Sequence, residues 1–199
     1  MKKAIAAAVL AVVAIGSFLQ WRTSRYDNLI REISGRYDLP FDLVKSLIFR
    51  ESWFDPTASG KDSERGLMQV TPAVGQEYAR SKGVSGYSED LLFDPFWNVE
   101  TGCWYLRLSV DKYADRPDPI VYALARYNAG ESRVARWEKL VSNGGAPPRR
   151  TSPGSAELLE GDADVSGHPF VAQIDFPTTR EYVEGIIRRA RSGRRFYWF

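Results

Sequence analysis

Apolar residues recur at spacings of three and four along most of the chain, and no long stretch alternates apolar with polar residues. That periodicity seats one side of an α-helix on a core, whereas a half-buried strand needs a period of two. Residues 26–37 carry Leu29, Ile30 and Ile33, residues 41–54 carry Leu43, Val44, Leu47 and Ile48, and residues 98–113 carry Val99, Cys103, Leu106 and Val110. Further helices are expected over residues 72–82, 119–127, 132–140 and 180–191. The first of these opens with Thr71 as N-cap and Pro72 at the first helical position. Gly60, Gly66, Gly83, Gly86 and Gly130 punctuate the series. The expected class is mostly α, and 199 residues suffice for one domain around one core.

The beginning of the chain follows a different logic. Lys2 and Lys3 precede 16 uncharged residues, Ala4 to Leu19, after which come Gln20, Trp21, Arg22 and Arg25. A basic start before such a run reads as a signal peptide or membrane anchor, assigned here to residues 1–21. Ala14-Ile15-Gly16 offers small residues for cleavage, whereas Trp21 beside Arg22 suits a retained segment with an interfacial girdle. The flanks favour retention, with a buried core helix as the lesser alternative. No Cys lies near the end of the run to carry a lipid. With Lys2 and Lys3 held inside, residues 22–199 are expected outside the cytoplasmic membrane, anchored or secreted.

Composition then limits the chemistry. The 27 Lys and Arg against 25 Asp and Glu leave a charge of +2, which gives no whole-chain argument for binding nucleic acid. One Cys, Cys103, forms no internal disulfide, and one His beside it makes none of the usual zinc sites. No metal and no cofactor is expected. Carboxylates, hydroxyls and amides remain as the working groups.

Among the carboxylates, Glu51 stands out. Val44, Leu47 and Ile48 define an inward stripe, and Glu51 follows Leu47 by four residues and Ile48 by three. A carboxyl placed there loses hydration and its pKa rises, which is the state a general acid needs near neutral pH. Asp55-Pro56 ends the helix, so the dipole of the last turn pushes in the same direction. From periodicity alone, a solvated carboxylate at a helix end near Arg50 or Arg65 is an equal alternative.

Two further segments are weak singly. Gly66-Leu67-Met68-Gln69-Val70-Thr71-Pro72 sets apolar residues around a Gln, whose donor and acceptor suit a sugar amide or hydroxyl. Read alone, it is as well explained by a packed loop with Gln69 bonded to backbone. Ala125-Arg126-Tyr127-Asn128-Ala129-Gly130 places small residues round Tyr-Asn at a helix end, an ordinary C-cap when it stands alone. In order along the chain, however, Glu51-Ser52, Gly66-Leu67-Met68-Gln69, Tyr127-Asn128-Ala129-Gly130 and Thr179-Arg180-Glu181-Tyr182-Val183 resemble the motifs of the soluble-type (SLT domain) lytic transglycosylases. The resemblance covers about residues 26–140 and again 176–187.

The resemblance implies a lysozyme-like fold and cleavage of the β-1,4 bond between N-acetylmuramic acid and N-acetylglucosamine in peptidoglycan. Glu51 is the implied catalytic acid. Ser52, Gly66, Leu67, Met68, Gln69, Tyr127, Asn128 and Tyr182 are the implied substrate-binding set, with Met68 and Gln69 on the floor and Tyr182 orienting Glu51. The implied partners are peptidoglycan strands and, through the N-terminal segment, the membrane, with the protein acting as a monomer. Two competing readings share the motifs. One is a goose-type-lysozyme-like hydrolase using Asp62 or Glu64 as base; the other is a catalytically silent peptidoglycan-binding protein. The chain also departs from the family, which commonly has Gly-Ala where Ser63 and Glu64 stand, and in Phe176-Pro177-Thr178.

Residues 142–167 are rich in Gly, Pro and charge and read as an insertion loop, mostly without regular structure apart from a short helix near 157–160, that borders the cleft or is disordered. Cys103 is expected in the core and His168 on the surface. Trp53, Trp97, Trp104 and Trp137 are each expected in the core rather than as sugar platforms, with Trp97, next to Asn98 and near Tyr105, the one to test for stacking on glycan. Residues 180–199 hold six Arg and two Glu, a local balance of +4 against −2 elsewhere. The basic-aromatic tail 188–199 suits anionic headgroups or a partner groove, or else a solvated helix end.

Overall fold

The computed structural model describes residues 2–141 and 151–192. Its helices are α1 (Lys2–Ser24), α2 (Asp27–Arg36), α3 (Phe41–Ser52), α4 (Pro72–Ser81), α5 (Pro95–Lys112), α6 (Pro119–Ala129), α7 (Glu131–Val141), α8 (Pro169–Gln173) and α9 (Pro177–Arg191). Short 3-10 turns lie at Glu89–Phe93 and Glu157–Leu159. Among the described residues there is no strand. Isolated bridges, Ser59 to Arg65 and Arg65 to Val70, pin the loop between α3 and α4.

Helix limits follow local chemistry. Thr71 accepts a hydrogen bond from Val74 N at 3.3 Å, with Pro72 at the first position of α4, as expected. Helix α5 starts three residues earlier than its apolar spacing suggests, because Asp94 caps it by accepting from Trp97 N at 3.0 Å. Helix α3 stops at Ser52, two residues short of the expected end, since Trp53 and Phe54 take left-handed φ of 55° and 61°. Helix α8 was not expected. Its cap is His168, whose Nδ1 accepts from Phe170 N at 3.2 Å. That correction places His168 half-buried beside Tyr122 rather than on the surface, and burial lowers its pKa.

The core is one cluster running from Ile30 to Ala190. Helix α3 lies between α2 and α9, while α6 packs on α5, α7 and α9. The interior position of α3 explains a limit of the stripe argument: Leu43, Lys45 and Ser46 are buried as well as Val44, Leu47 and Ile48. Lys45 is held there by Asp27, with Nζ 2.6 Å from Oδ1. Cys103 and Trp137 are fully buried core residues, and Trp137 donates its indole N–H to Asp175 at 2.7 Å. Trp97, like Trp53 and Trp104, is half-buried. It packs edge-on against Tyr78 at 5.9 Å, beside Trp104 on the same Tyr78 ring, and does not reach a glycan cleft.

Helix α1 is different in kind. Ile5, Val9, Leu10, Val12, Val13, Ile15, Phe18 and Trp21 are all exposed along it. Its 23 residues span about 34 Å at 1.5 Å per residue, enough to cross a hydrocarbon layer of about 30 Å. The base of α1 grips the end of α3: Arg22 Nε donates to Trp53 O at 2.8 Å, and Arg25 Nη2 donates to Phe54 O at 2.6 Å.

Residues 142–150 of the expected insertion and 193–199 of the expected tail lie outside the described residues. The rest of the insertion, residues 151–167, is folded, contrary to the expectation of disorder. Leu158 and Val165 are buried, and Ser155 N donates to Asp38 Oδ1 at 3.0 Å. Nor are the arginines at the end of α9 simply solvated. Arg191 donates to both Asp118 oxygens at 2.8 and 2.6 Å, and the Arg189 guanidinium sits 4.0 Å from the Phe49 ring centroid.

Candidate active site

A cleft of about 570 Å³ opens where α3 ends. Glu51 lies at its head, from the last turn of α3. The α3–α4 loop contributes Gly60, Lys61, Asp62, Glu64, Gln69, Val70 and Thr71, and α4 contributes Val74. Tyr105 comes from α5, and Arg126, Tyr127, Asn128, Ala129 and Gly130 come from the end of α6. None of the described residues 151–167 lines it, so that part of the insertion does not border the cleft.

Glu51 is set by three elements. Burial is the main cause pushing its carboxyl up to about 7, and the negative charge of Glu64 adds to it. The Tyr182 hydroxyl, donating to Glu51 Oε1 at 2.5 Å from α9, and the Arg50 guanidinium pull the other way without overcoming the burial. Tyr182 is itself buried, and its hydroxyl, like that of Tyr127, is held protonated far above neutral pH by burial and the neighbouring carboxyl. At neutral pH Glu51 therefore exchanges its proton readily while the phenols around it do not.

The Gly66 turn forms the floor's support rather than its surface. Gly66 has φ of 75°, and a Cβ there would come 2.3 Å from Leu92 O and 2.4 Å from Asn98 Nδ2. Asn98 is fully buried and satisfies three backbone groups of the turn and its neighbour. It accepts from Met68 N at 2.7 Å and donates to Arg65 O and Leu92 O, both at 2.7 Å. Leaving such groups unpaired costs about 1–3 kcal/mol each, so this one side chain fixes the turn. Ser52 Oγ donates to Leu67 O at 2.8 Å, and the Tyr127 hydroxyl donates to Met68 O at 2.9 Å. The turn is thereby tied to α3, α5 and α6.

Of the residues singled out from sequence, Glu51, Gln69, Tyr127 and Asn128 line the cleft together. Ser52, Gly66, Leu67, Met68 and Tyr182 do not; Leu67 and Met68 have no exposed surface at all, because both point into the core. Met68 is thus beneath the floor rather than on it. Gln69 has φ of 48°, and its Nε2 donates to Ala58 O and Gly66 O at 3.1 and 2.9 Å. Asn128 is exposed at the rim, and its Oδ1 accepts from Thr179 at 2.7 Å, which links α6 to the start of α9.

Sequence reasoning missed Tyr105. Its ring lies 5.6 Å from Tyr127 and carries the Arg126 guanidinium at 4.7 Å, giving the cleft an aromatic wall. It stands outside every motif and off the apolar spacing of α5, so no local signal marks it; its main-chain oxygen accepts from Ser109 Oγ at 2.8 Å, and the same hydroxyl takes Arg126.

The raised Glu51 carboxyl has a consequence for stability. Between its ordinary value near 4.5 and its folded value of about 7, the folded protein keeps a proton that the unfolded chain releases. Stability therefore falls as pH rises through that window, and the penalty is complete above it. Glu51→Gln never ionises and still accepts from Tyr182. Relative to the unsubstituted protein it is expected to be more stable by on the order of 1–3 kcal/mol at pH 8 and no more stable at pH 4, read from urea midpoints.

Comparison with known proteins identifies the family and the fold. Residues 28–147 match the family described as Transglycosylase SLT domain. A relative named membrane-bound lytic murein transglycosylase C, from Histophilus somni, is 39% identical over 121 residues, covering 58% of this chain and 33% of the relative. One of the same name from Mannheimia succiniciproducens is 32% identical over 133 residues, covering 64% and 37%. The chain thus spans about a third of the length of the curated relatives it matches. Among solved structures, the 70 kDa soluble lytic transglycosylase of Escherichia coli superposes with a TM-score of 0.63 at 25% identity, over 83% of this chain and 23% of that one. An inactive mutant of the lytic transglycosylase Slt from Pseudomonas aeruginosa gives 0.64 at 22% identity over 84% and 23%, a likeness of fold. With its lysozyme-like helical fold and its glutamate-headed cleft, this chain belongs to the SLT-domain transglycosylase family.

Proposed function

We propose that the chain is a peptidoglycan lytic transglycosylase, which cleaves the β-1,4 bond between N-acetylmuramic acid and N-acetylglucosamine and leaves a 1,6-anhydro-N-acetylmuramic acid end. The observation that carries this reading is the carboxyl of Glu51, which desolvation keeps protonated up to about neutral pH and which opens on a cleft lined by polar side chains. Protonated Glu51 gives its proton to the glycosidic oxygen as the bond to the anomeric carbon breaks. The substrate's own N-acetyl group stabilises the charge that develops there. Ionised Glu51 then takes the proton of the sugar's C6 hydroxyl as that oxygen bonds to the anomeric carbon. Glu51 ends protonated, no water is consumed, and the products together have the mass of the substrate.

The surrounding residues act on position and charge. Tyr182 fixes one oxygen of Glu51 and relieves the cost of its transient ionisation. Asn128, with its oxygen taken by Thr179, offers its amide N–H to the N-acetyl carbonyl. Tyr127 and Tyr105 supply the wall against which a sugar ring packs. Ser52, Gly66, Leu67 and Met68 serve by holding the turn under Gln69.

A second chemistry has one observation in its favour. Asp62 and Glu64 line the same cleft as Glu51, and two carboxylates are what a water-consuming glycosidase uses. Mass spectrometry of digested sacculi separates the two. Anhydro-ended muropeptides are expected from the intact protein and none from Glu51→Gln, with a loss of at least about 10²-fold. Products with free reducing ends, 18 mass units heavier, would reject the non-hydrolytic reading.

The exposed apolar helix α1 supports a membrane anchor with the catalytic body, residues 22–199, in the periplasm or cell envelope. The curated relatives named above carry the words "membrane-bound". Fractionation should find the full chain in the membrane pellet and a chain lacking residues 2–21 in the soluble fraction. A full chain released by salt alone would contradict a spanning anchor.

A further inference from the structure

The α3–α4 loop holds the departure from the family's Gly-Ala, and its geometry gives that departure a meaning. Ser63 has φ of 67°, a backbone conformation that suits the glycine it replaces. Glu64 stands where an alanine is common, and its side chain folds back into the cleft. Its Oε2 accepts from Asp62 N at 2.9 Å, and its main-chain oxygen accepts from Gly60 N at 2.8 Å. The carboxylate sits directly on Gly60. A Cβ on residue 60 would lie 2.1 Å from Glu64 Oε2, 2.9 Å from its Cδ and 3.0 Å from Gln69 Oε1. Any side chain at residue 60 would evict the carboxylate, whereas an alanine at residue 64 would leave the seat empty. Gly60 and Glu64 are therefore a matched pair.

Gly60, Glu64 and Glu51 all line the same cleft. We propose that Glu64, seated on Gly60, is a positioning residue for the charge state of Glu51: its negative charge opposes ionisation of the acid and extends catalysis to higher pH than burial alone allows. This rests on Glu51 being the general acid.

The other groups around Glu51 define what Glu64 works against. After burial, the influences are Tyr182 from α9 and Arg50 from α3, which favour the carboxylate, and Glu64 from the loop, which disfavours it. Tyr127 from α6 donates its hydroxyl to Met68 O and leaves Glu51 to Tyr182. Lys61 and Asp62 line the same loop side of the cleft with opposite charges. Arg126 is turned to Ser109 at 2.6 Å and to Glu131 at 3.4 Å. Glu64 is thus the carboxylate whose charge bears on Glu51 from across the loop.

The test is the pH profile of kcat on purified peptidoglycan, measured with the full chain from pH 5 to 9. Glu64→Gln and Glu64→Ala are expected to move the alkaline limb to lower pH by roughly 0.5–1 unit, a loss of about 3- to 10-fold at pH 8 and of less than about 2-fold at pH 6. Gly60→Ala should move it in the same direction, because it displaces the carboxylate. Combining Gly60→Ala with Glu64→Ala should move it no further than Glu64→Ala alone. A limb that stays in place in the Glu64 variants, or a rate lowered equally at every pH, overturns the proposal while Glu51→Gln remains inactive. Turnover retained by Glu51→Gln removes the acid itself, and the proposal falls with it.

Discussion

Taking a carboxylate out of water costs more than one hydrogen bond returns, so Glu51 keeps its place only because it can hold a proton and because the surrounding helices leave it little choice. Helix α3 is buried along most of its length, and α9 packs against it so that Tyr182 meets the carboxyl as the helix ends. The Gly66 turn closes the remaining side, and it is rigid because Asn98, Ser52 and Tyr127 each take a polar group of its backbone. The setting of the proposed acid and the stability of the fold thus draw on the same contacts. The acid's raised pKa is a small instability that packing elsewhere offsets.

Much of this was legible in the sequence. The period of the apolar residues gave the principal helices, since each buries a face that has to repeat with the helical turn. What the period missed was decided by side chains bonding to backbone: Asp94 at the start of α5, His168 at the start of α8, and the left-handed Trp53 and Phe54 that stop α3. The stripe argument for Glu51 stood level with its alternative because α3 has more than one buried face, Lys45 and Ser46 included. Four motifs read in order point to Glu51 as the acid where periodicity leaves two readings level. They did not separate residues that line the cleft from residues that brace it: Met68 and Ser52 belong to the bracing, and Tyr105, in none of the motifs, belongs to the lining.

Two outlying parts of the described chain join the core by arginine. At one end Arg22 and Arg25 cap the carbonyls of Trp53 and Phe54, so the apolar helix α1 is fastened to the same helix that presents Glu51. At the other, Arg191 binds Asp118 and the carbonyls of Leu158 and Asp162, drawing the described part of the insertion onto the far end of α9. A sequence-level charge count finds these arginines but assigns them to solvent or to lipid. Their bonds to carbonyls and a carboxylate depend on contacts between distant parts of the chain, which no local pattern encodes.

The central claim, that this site is built to hold one protonated carboxyl near neutral pH, is tested most directly by titrating that carboxyl. With the side-chain carboxyl carbons of glutamate labelled with 13C, and the Glu51 resonance assigned by its absence in Glu51→Gln, the chemical shift is followed from pH 3 to 9. A midpoint close to 7 is predicted. A midpoint near the ordinary value of 4.5 would mean a solvated carboxylate at the end of α3 and would contradict the account.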